Sequence, residues 1–125
     1  MKGTVLLIED NEQNRYLTTF LLERSGYIVV AAIDGPHGIS EASRRCPDIV
    51  LLDIQLPQMD GYAVAAKLRE IEALRDTPII AVTSYAMVGD REKALAAGCT
   101  GYIEKPISPE TFVAEVEHIA KGGRK

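Results

Sequence analysis

The chain has 125 residues and a net charge of −4 at pH 7. This length suits one compact domain that needs no disulfides, and the mild acidity disfavours a protein whose main task is to bind nucleic acid. The first apolar run is too short for a secretory signal and no segment could span a bilayer, so we expect a cytoplasmic protein. Cys46 and Cys99 show no CxxC spacing and are expected to be reduced, although a disulfide between them stays open at this stage.

Strand and helix patterns alternate five times along the chain, beginning with an apolar run over residues 5–8. Such an unbroken run is typical of a strand that helices cover on both faces. A helix with apolar periodicity at Leu17, Phe20 and Leu21 follows, and Gly26 marks its end.

The second strand is predicted over residues 27–32, where β-branched and aromatic residues predominate. The second helix continues over residues 38–46 and stops before Pro47, because the residue before a proline disfavours helical geometry. The third strand, over residues 49–52, leads directly into Asp53.

Apolar spacing indicates a third helix over residues 64–71. The fourth strand is predicted over residues 78–82 and leads into Thr83. A fourth helix over residues 94–97 is closed by Gly98, a typical C-terminal glycine.

The fifth strand is predicted over residues 101–104 and leads into Lys105. Ser108 is the predicted N-cap of the last helix and Pro109 its first helical residue. The apolar stripe of this helix continues to residue 119.

Five strand–helix units predict an α/β domain over residues 1–125, with helices on both faces of a parallel sheet. The favoured topology is the flavodoxin-like, doubly wound (βα)5 fold, with five parallel strands in the order 2-1-3-4-5. Ligands of such sheets bind beyond the carboxyl ends of the strands, where the strand order reverses. In this chain that point lies between the first and third strands.

Polar residues follow the strands at this predicted ligand-binding edge. Glu9 and Asp10 follow the first strand and Asp53 follows its neighbour, so their carboxylates are expected to meet at close range. Two carboxylates at ~5 Å repel by roughly 3 kcal/mol at an effective dielectric constant near 20. Such a cluster traps a proton or binds a cation, and carboxylates beside a phosphate oxygen suit Mg²⁺.

The remaining two strands supply a cation and a hydroxyl. Lys105 begins about 10 Å from Asp53, a gap that a lysine side chain spans. Its ammonium can pair with Asp53 or with a phosphoryl oxygen, and Thr83 can donate a hydrogen bond to another oxygen. The set predicts a phosphoryl-transfer site in which Asp53 is the nucleophile.

The sequence resembles the receiver domains of two-component response regulators over essentially its whole length. The resemblance implies that Asp53 is the phosphoacceptor. It further implies that Asp10, Asp53 and the backbone carbonyl of Gln55 coordinate Mg²⁺, while Glu9 helps through water. The matching motifs follow four strands in order and cover residues 8–11, 52–61, 81–84 and 102–106.

Further expectations come from the same resemblance. Lys105 and Thr83 would contact the phosphoryl group, Tyr102 would be the aromatic residue that switches, and the Lys105–Pro106 bond is cis in many relatives. Met87 would contribute to a docking face. The positions at which the family tunes phosphoryl hydrolysis are Gln55 and Tyr85, and Ser84 replaces the smaller residue that many relatives carry.

The resemblance is strongest to DivK-type single-domain regulators and hybrid-kinase receivers. It implies a phosphorylation switch rather than a metabolic enzyme, with a sensor histidine kinase or a histidine phosphotransfer protein as phosphodonor. A downstream effector would dock on the face of the fourth helix, fifth strand and fifth helix. No nucleic acid or membrane partner is expected, and a phosphorylation-dependent homodimer stays open.

Two other functions use a similar arrangement of strands and loops. A haloacid dehalogenase-type phosphohydrolase also has a nucleophilic aspartate, but its general acid is a second aspartate two residues on, where this chain has Gln55. A flavin- or nucleotide-binding module needs a loop that cradles phosphate. The loop over residues 9–12 has no glycine and several carboxylates, so it would repel phosphate without a dication.

Overall fold

The computed structural model describes residues 2–56, 59–84 and 89–122. Within these ranges, five strands alternate with five α-helices, and the short 3-10 helix Glu72–Leu74 precedes the fourth strand. The strands are β1 (Gly3–Ile8), β2 (Tyr27–Ala32), β3 (Ile49–Asp53), β4 (Ile79–Thr83) and β5 (Gly101–Glu104). The helices are α1 (Glu12–Arg24), α2 (Gly35–Arg45), α3 (Gly61–Arg69), α4 (Asp90–Ala96) and α5 (Phe112–Ala120).

The strands form one parallel sheet in the order β2-β1-β3-β4-β5, which confirms the predicted topology. Its register aligns the carboxyl ends of the strands. Ile8 pairs with Leu52, one residue before the end of β3, and Thr83 pairs with Glu104 at the ends of β4 and β5. The residues that follow β1 and β5 are therefore carried to the same edge as the last residues of β3 and β4.

The central strands are buried on both faces, as their unbroken apolar runs predict. In β1, Leu6 and Ile8 pack into one core cluster, together with residues of α2, α3 and α4. Val5 and Leu7 point the other way and pack into a second cluster with residues of α1 and α5. The sheet is thus covered by helices on both sides.

Phe20, one of two exposed aromatic residues of α1, departs from the apolar periodicity. Leu22 is fully buried, whereas Phe20 is 47% exposed, and the Arg24 guanidinium lies 6.0 Å from the centroid of its ring. The helix turns Thr18 and Leu22 toward the sheet, so a polar residue takes a buried position that the periodicity had not assigned.

The start of α5 also differs from the prediction that Ser108 is its N-cap. The regular helix begins at Phe112, and Thr111 occupies the N-cap position. The Ser108 carbonyl accepts hydrogen bonds from the N–H groups of Thr111 and Phe112, while its hydroxyl donates to the Glu110 carboxylate. The residues between them form a turn, so the Ser-Pro pair marks the turn that precedes the helix.

The structure also shows the geometry of the Lys105–Pro106 bond and the state of the two cysteines. The Lys105–Pro106 bond is cis, as the resemblance implies. Cys46 and Cys99 are both free, which confirms that no disulfide joins them. Cys99 is buried, and this burial raises the pKa of its thiol to about 11. Cys46 is exposed at the end of α2 and does not pack as a core residue. None of the described helices has the length and apolar character to cross a membrane.

Candidate functional site

The polar residues that follow the strands converge at one edge of the sheet. Glu9 and Asp10 follow β1, and Asp53 is the last residue of β3. One carboxylate oxygen from each of the three lies within 4.8 Å of the others. Glu9 and Asp53 are buried, at 3% and 4% exposure, whereas Asp10 is exposed. The predicted acidic cluster therefore forms at the point where the strand order reverses.

Lys105 crosses the sheet edge to reach these carboxylates. Its backbone N–H donates a 2.7 Å hydrogen bond to the carbonyl of Thr83, which continues the pairing of β4 with β5. Its ammonium Nζ lies 3.4 Å from Asp53 Oδ2, as predicted, and 3.0 Å from Glu9 Oε1. The shorter contact with Glu9 was not predicted, because sequence spacing does not show which of two neighbouring carboxylates lies closer to the ammonium.

The cluster carries more negative than positive charge, since one ammonium faces three carboxylates. Burial, as the largest effect, raises the pKa of Asp53 to about 6. The Gln55 backbone N–H opposes this rise, Glu9 adds to it through a hydrogen bond and its charge, and Lys105 opposes it. A dication at this position would relieve the charge imbalance.

The raised pKa of Asp53 predicts how stability depends on pH. Because the folded state binds this proton more tightly than the unfolded chain, Asp53 destabilises the fold increasingly as pH rises from about 4 to about 6. In EDTA, an Asp53→Asn variant is expected to gain about 1–3 kcal/mol at pH 7, and this gain should vanish below about pH 4. Urea denaturation at both pH values measures the difference. Equal stability of the wild type and the Asp53→Asn variant at pH 7 would contradict the raised pKa of Asp53.

Gln55 joins the ends of β3 and β4. Its backbone N–H donates a 3.0 Å hydrogen bond to Asp53 Oδ1. Its side-chain Nε2 lies 3.3 Å from Thr83 Oγ1, and its Oε1 accepts a 3.4 Å hydrogen bond from the N–H of Ser84. Thr83 is buried and Ser84 is exposed. The resemblance singled out the Gln55 carbonyl, whereas these side-chain contacts went unpredicted.

The loop between β1 and α1 is held by Asn11 and Arg15, to which the sequence analysis assigned no structural role. Asn11 caps α1 by accepting a hydrogen bond from the N–H of Asn14, and its own N–H donates to Glu9 Oε2 at 3.2 Å. Arg15 Nη1 donates to the carbonyls of Glu9 and Asp10. An asparagine directly before a helical pattern signals the cap. No comparable signal in the sequence identifies Arg15.

Gly61, the first residue of α3, packs against the backbone of Asp53 and Ile54. Its N–H donates a 3.1 Å hydrogen bond to the carbonyl of Ile54. A Cβ atom at this position would lie 2.5 Å from the Ile54 Cα and 2.8 Å from the Asp53 carbonyl oxygen. Backbone therefore packs directly on backbone here, and a side chain larger than hydrogen would displace the peptide of Asp53.

The predicted switch residue Tyr102 lies on the last strand of the sheet, next to β4. Tyr102, in β5, is partly buried and packs against the core cluster that contains Leu6 and Ile8. A cavity of about 560 Å³ lies between Tyr102 and the α5 residues His118 and Ile119. Tyr85 and Met87 lie outside the described residues.

Comparisons with known proteins agree with this geometry. The family model described as "Response regulator receiver domain" matches residues 5–117. The polar-differentiation response regulator DivK of Brucella ovis is 41% identical over 117 residues, which cover 94% of this chain and 95% of DivK. The DivK protein of Brucella anthropi is 40% identical over the same shares of the two chains.

Solved structures show the same fold. The receiver domain of the Pseudomonas aeruginosa sensor histidine kinase PA1611, with a magnesium ion coordinated in its active-site cleft, has a TM-score of 0.88 and 34% identity. That comparison covers 97% of this chain and 99% of the other. The Vibrio cholerae chemotaxis protein CheY4 has a TM-score of 0.91 and 26% identity, and the match covers 95% of this chain and 99% of CheY4. Because the family model matches residues 5–117 of this chain, the chain belongs to the response regulator receiver domain family of two-component signalling.

Proposed function

We propose that this receiver domain accepts a phosphoryl group on Asp53 in a Mg²⁺-dependent reaction and then acts as a switch for a partner protein. The observation that carries the proposal is the environment of the Asp53 carboxylate. It is buried at the end of β3, it lies 3.4 Å from the Lys105 ammonium, and two further carboxylates converge on it. The family is a phosphoacceptor switch, so the chemistry requires positioning and charge neutralisation more than acid–base catalysis.

In the proposed step, a carboxylate oxygen of Asp53 attacks the phosphorus of a phosphohistidine. A P–O bond forms as the P–N bond breaks, and the leaving imidazole takes a proton from solvent. The donor is a sensor histidine kinase or a histidine phosphotransfer protein. A cleft of about 390 Å³ extends from Asp53 past Asn14 and Leu17 of α1 toward Ile107, which gives the donor a path of approach.

The donor atoms at the site fit a hard dication. The carboxylates of Glu9, Asp10 and Asp53 offer oxygens within 4.8 Å of one another, and the Gln55 carbonyl is the further ligand that the resemblance implies. Such ligands suit Mg²⁺, which keeps waters and takes a phosphoryl oxygen. When bound, the cation neutralises charge on the carboxylates and on the phosphoryl oxygens. The magnesium ion coordinated in the active-site cleft of the PA1611 receiver domain supports the assignment by analogy.

After transfer, residues around Asp53 would bind the negatively charged oxygens of the phosphoryl group. The Lys105 ammonium pairs with one phosphoryl oxygen in place of its contact with Asp53 Oδ2. The Thr83 hydroxyl donates to a second phosphoryl oxygen, since Thr83 ends the strand next to β3. Movement of Thr83 then leaves space into which Tyr102 rotates, because Tyr102 lies on the neighbouring strand. The altered surface is the face of α4, β5 and α5, where an effector docks.

Phosphorylation by a small donor tests the proposal. Incubation of the chain with acetyl phosphate and Mg²⁺ should add one phosphoryl group per molecule, detected by intact-mass spectrometry at low temperature. Peptide mapping should place it on Asp53, and EDTA should prevent its addition because the carboxylate charges stay unneutralised. A product that forms equally well in EDTA would exclude the metal-dependent mechanism. Rapid multiple turnover of small phosphoesters would favour a phosphohydrolase instead.

A further inference from the structure

The guanidinium of Arg15 contacts the backbone of the acidic loop rather than any acidic side chain named above. Arg15 lies in the first turn of α1 and is partly buried. Its Nη1 donates hydrogen bonds of 3.0 Å to the Glu9 carbonyl and 3.3 Å to the Asp10 carbonyl. One side chain therefore fixes two consecutive peptide groups, and these peptides carry two of the three converging carboxylates.

The two acidic residues depend on Arg15 to different degrees. Glu9 is also held through its N–H, which donates to the Ala32 carbonyl, and through its carboxylate, which contacts the Asn11 N–H and Lys105. Asp10 is exposed, and in the described part of the chain its one hydrogen bond is that from Arg15 to its carbonyl. The peptide between Asp10 and Asn11 is held by two hydrogen bonds, one from Arg15 to the Asp10 carbonyl and one from the Asn11 N–H to Glu9. The bond from Arg15 is the one of the two that comes from a side chain.

We propose that Arg15 is a positioning residue for the cation site, which acts by orienting the Asp10 carboxylate toward those of Glu9 and Asp53. Arg15 acts through the loop backbone and is not itself a ligand. The inference rests on the proposed Mg²⁺-dependent function and names a residue on which metal binding depends. Removal of a side chain that orients a metal ligand typically lowers the affinity for the metal by ~10–100-fold.

The positive charge of Arg15 and its hydrogen bonds to the loop have opposite effects on Mg²⁺ affinity, so the two effects can be separated by experiment. A guanidinium near a dication repels it, so the removal of positive charge alone would strengthen Mg²⁺ binding. The loss of the two carbonyl hydrogen bonds leaves the peptide between Asp10 and Asn11 held by the Asn11 N–H alone, and this loosening would weaken Mg²⁺ binding. The sign of the change in affinity therefore distinguishes a positioning residue from a nearby charge.

The experiment measures Mg²⁺ binding to the full chain at pH 7 by isothermal titration calorimetry. An Arg15→Met variant is expected to bind Mg²⁺ about 10-fold more weakly than the wild type. Arg15→Lys should bind with intermediate affinity, because its ammonium still donates to one carbonyl. Arg24→Met is the matched control, since it removes a positive charge from the last turn of the same helix, and it should bind as tightly as the wild type or slightly more tightly.

An Arg15→Met affinity equal to or tighter than that of Arg24→Met would overturn the inference. Urea denaturation in EDTA verifies that each variant is folded. If Arg15→Met does not fold, the test uses Arg15→Lys, and an Mg²⁺ affinity of Arg15→Lys equal to that of the wild type would overturn the inference. Failure of the inference is distinguishable from failure of the proposed function. If the wild type binds no Mg²⁺, both fall. If the wild type binds Mg²⁺ and is phosphorylated on Asp53 while Arg15→Met binds equally well, the role of Arg15 alone falls.

Discussion

Replacement of Asp53 with asparagine is expected to abolish phosphorylation by acetyl phosphate. The carboxylate is the nucleophile in the proposed step, and an amide of the same shape lacks the negative oxygen that attacks phosphorus. The fold should persist, because asparagine retains an acceptor for the Gln55 N–H and removes one charge from an overcrowded cluster. Intact-mass spectrometry of the variant after incubation with acetyl phosphate and Mg²⁺ should detect only the unmodified chain.

Asp76→Asn is the matched control for this experiment. Asp76 is exposed in the loop before β4, at the opposite edge of the sheet from Asp53. The same change of carboxylate to amide at Asp76 should leave phosphorylation at the wild-type level. If the Asp53→Asn variant gained a phosphoryl group in the same yield, the phosphoacceptor would have to be a different residue.

Replacement of Lys105 with methionine is expected to destabilise the metal-free protein by about 2–4 kcal/mol at pH 7. The side chain of Lys105 is 12% exposed, and its ammonium contacts both Glu9 and Asp53. Methionine keeps much of the apolar length but leaves two buried carboxylates facing each other without their cation. Urea denaturation in EDTA measures the loss, and Lys67→Met, at an exposed position in α3, is the control.

The same variant has a characteristic dependence on pH and on Mg²⁺. The pKa of Asp53 is already raised to about 6 with Lys105 in place, so acidification to pH 5 protonates this carboxylate and should reduce the loss of stability. Added Mg²⁺ should reduce it as well, because the dication takes over the neutralisation of charge. A loss that stays constant across pH and Mg²⁺ concentration would mean that Lys105 stabilises the fold through packing alone.

Much of the fold is encoded in local sequence patterns. The predicted bounds of β2 and β5 agree with the structure, because each strand lies between a clear helix end and a turn. The sheet order and the convergence of Glu9, Asp10 and Asp53 also follow from the sequence. Once the strands are parallel, the residues after them must meet at one edge, whatever the details of packing.

The contacts between elements were less predictable. The Arg15 and Gln55 side chains bond to groups in neighbouring segments, and the geometry of such bonds depends on how helices and loops settle on the sheet. Apolar periodicity likewise assigned Phe20 rather than Leu22 to the buried face of α1, because the buried face includes the polar residue Thr18 and so lacks a clear apolar pattern. The Ser108 signal failed because serine before proline suits a turn as well as a helix cap.

The close contact at Gly61 has a consequence for how this domain tolerates change. The segment after Asp53 is tied at both ends, by the Gln55 N–H on the Asp53 carboxylate and by the Gly61 N–H on the Ile54 carbonyl. Substitutions at residues 56, 59 and 60, between these two anchors, are therefore expected to leave the reactive carboxylate oxygen in place. Position 61 itself has no such latitude, because even an added methyl group would collide with the main chain that presents the nucleophile.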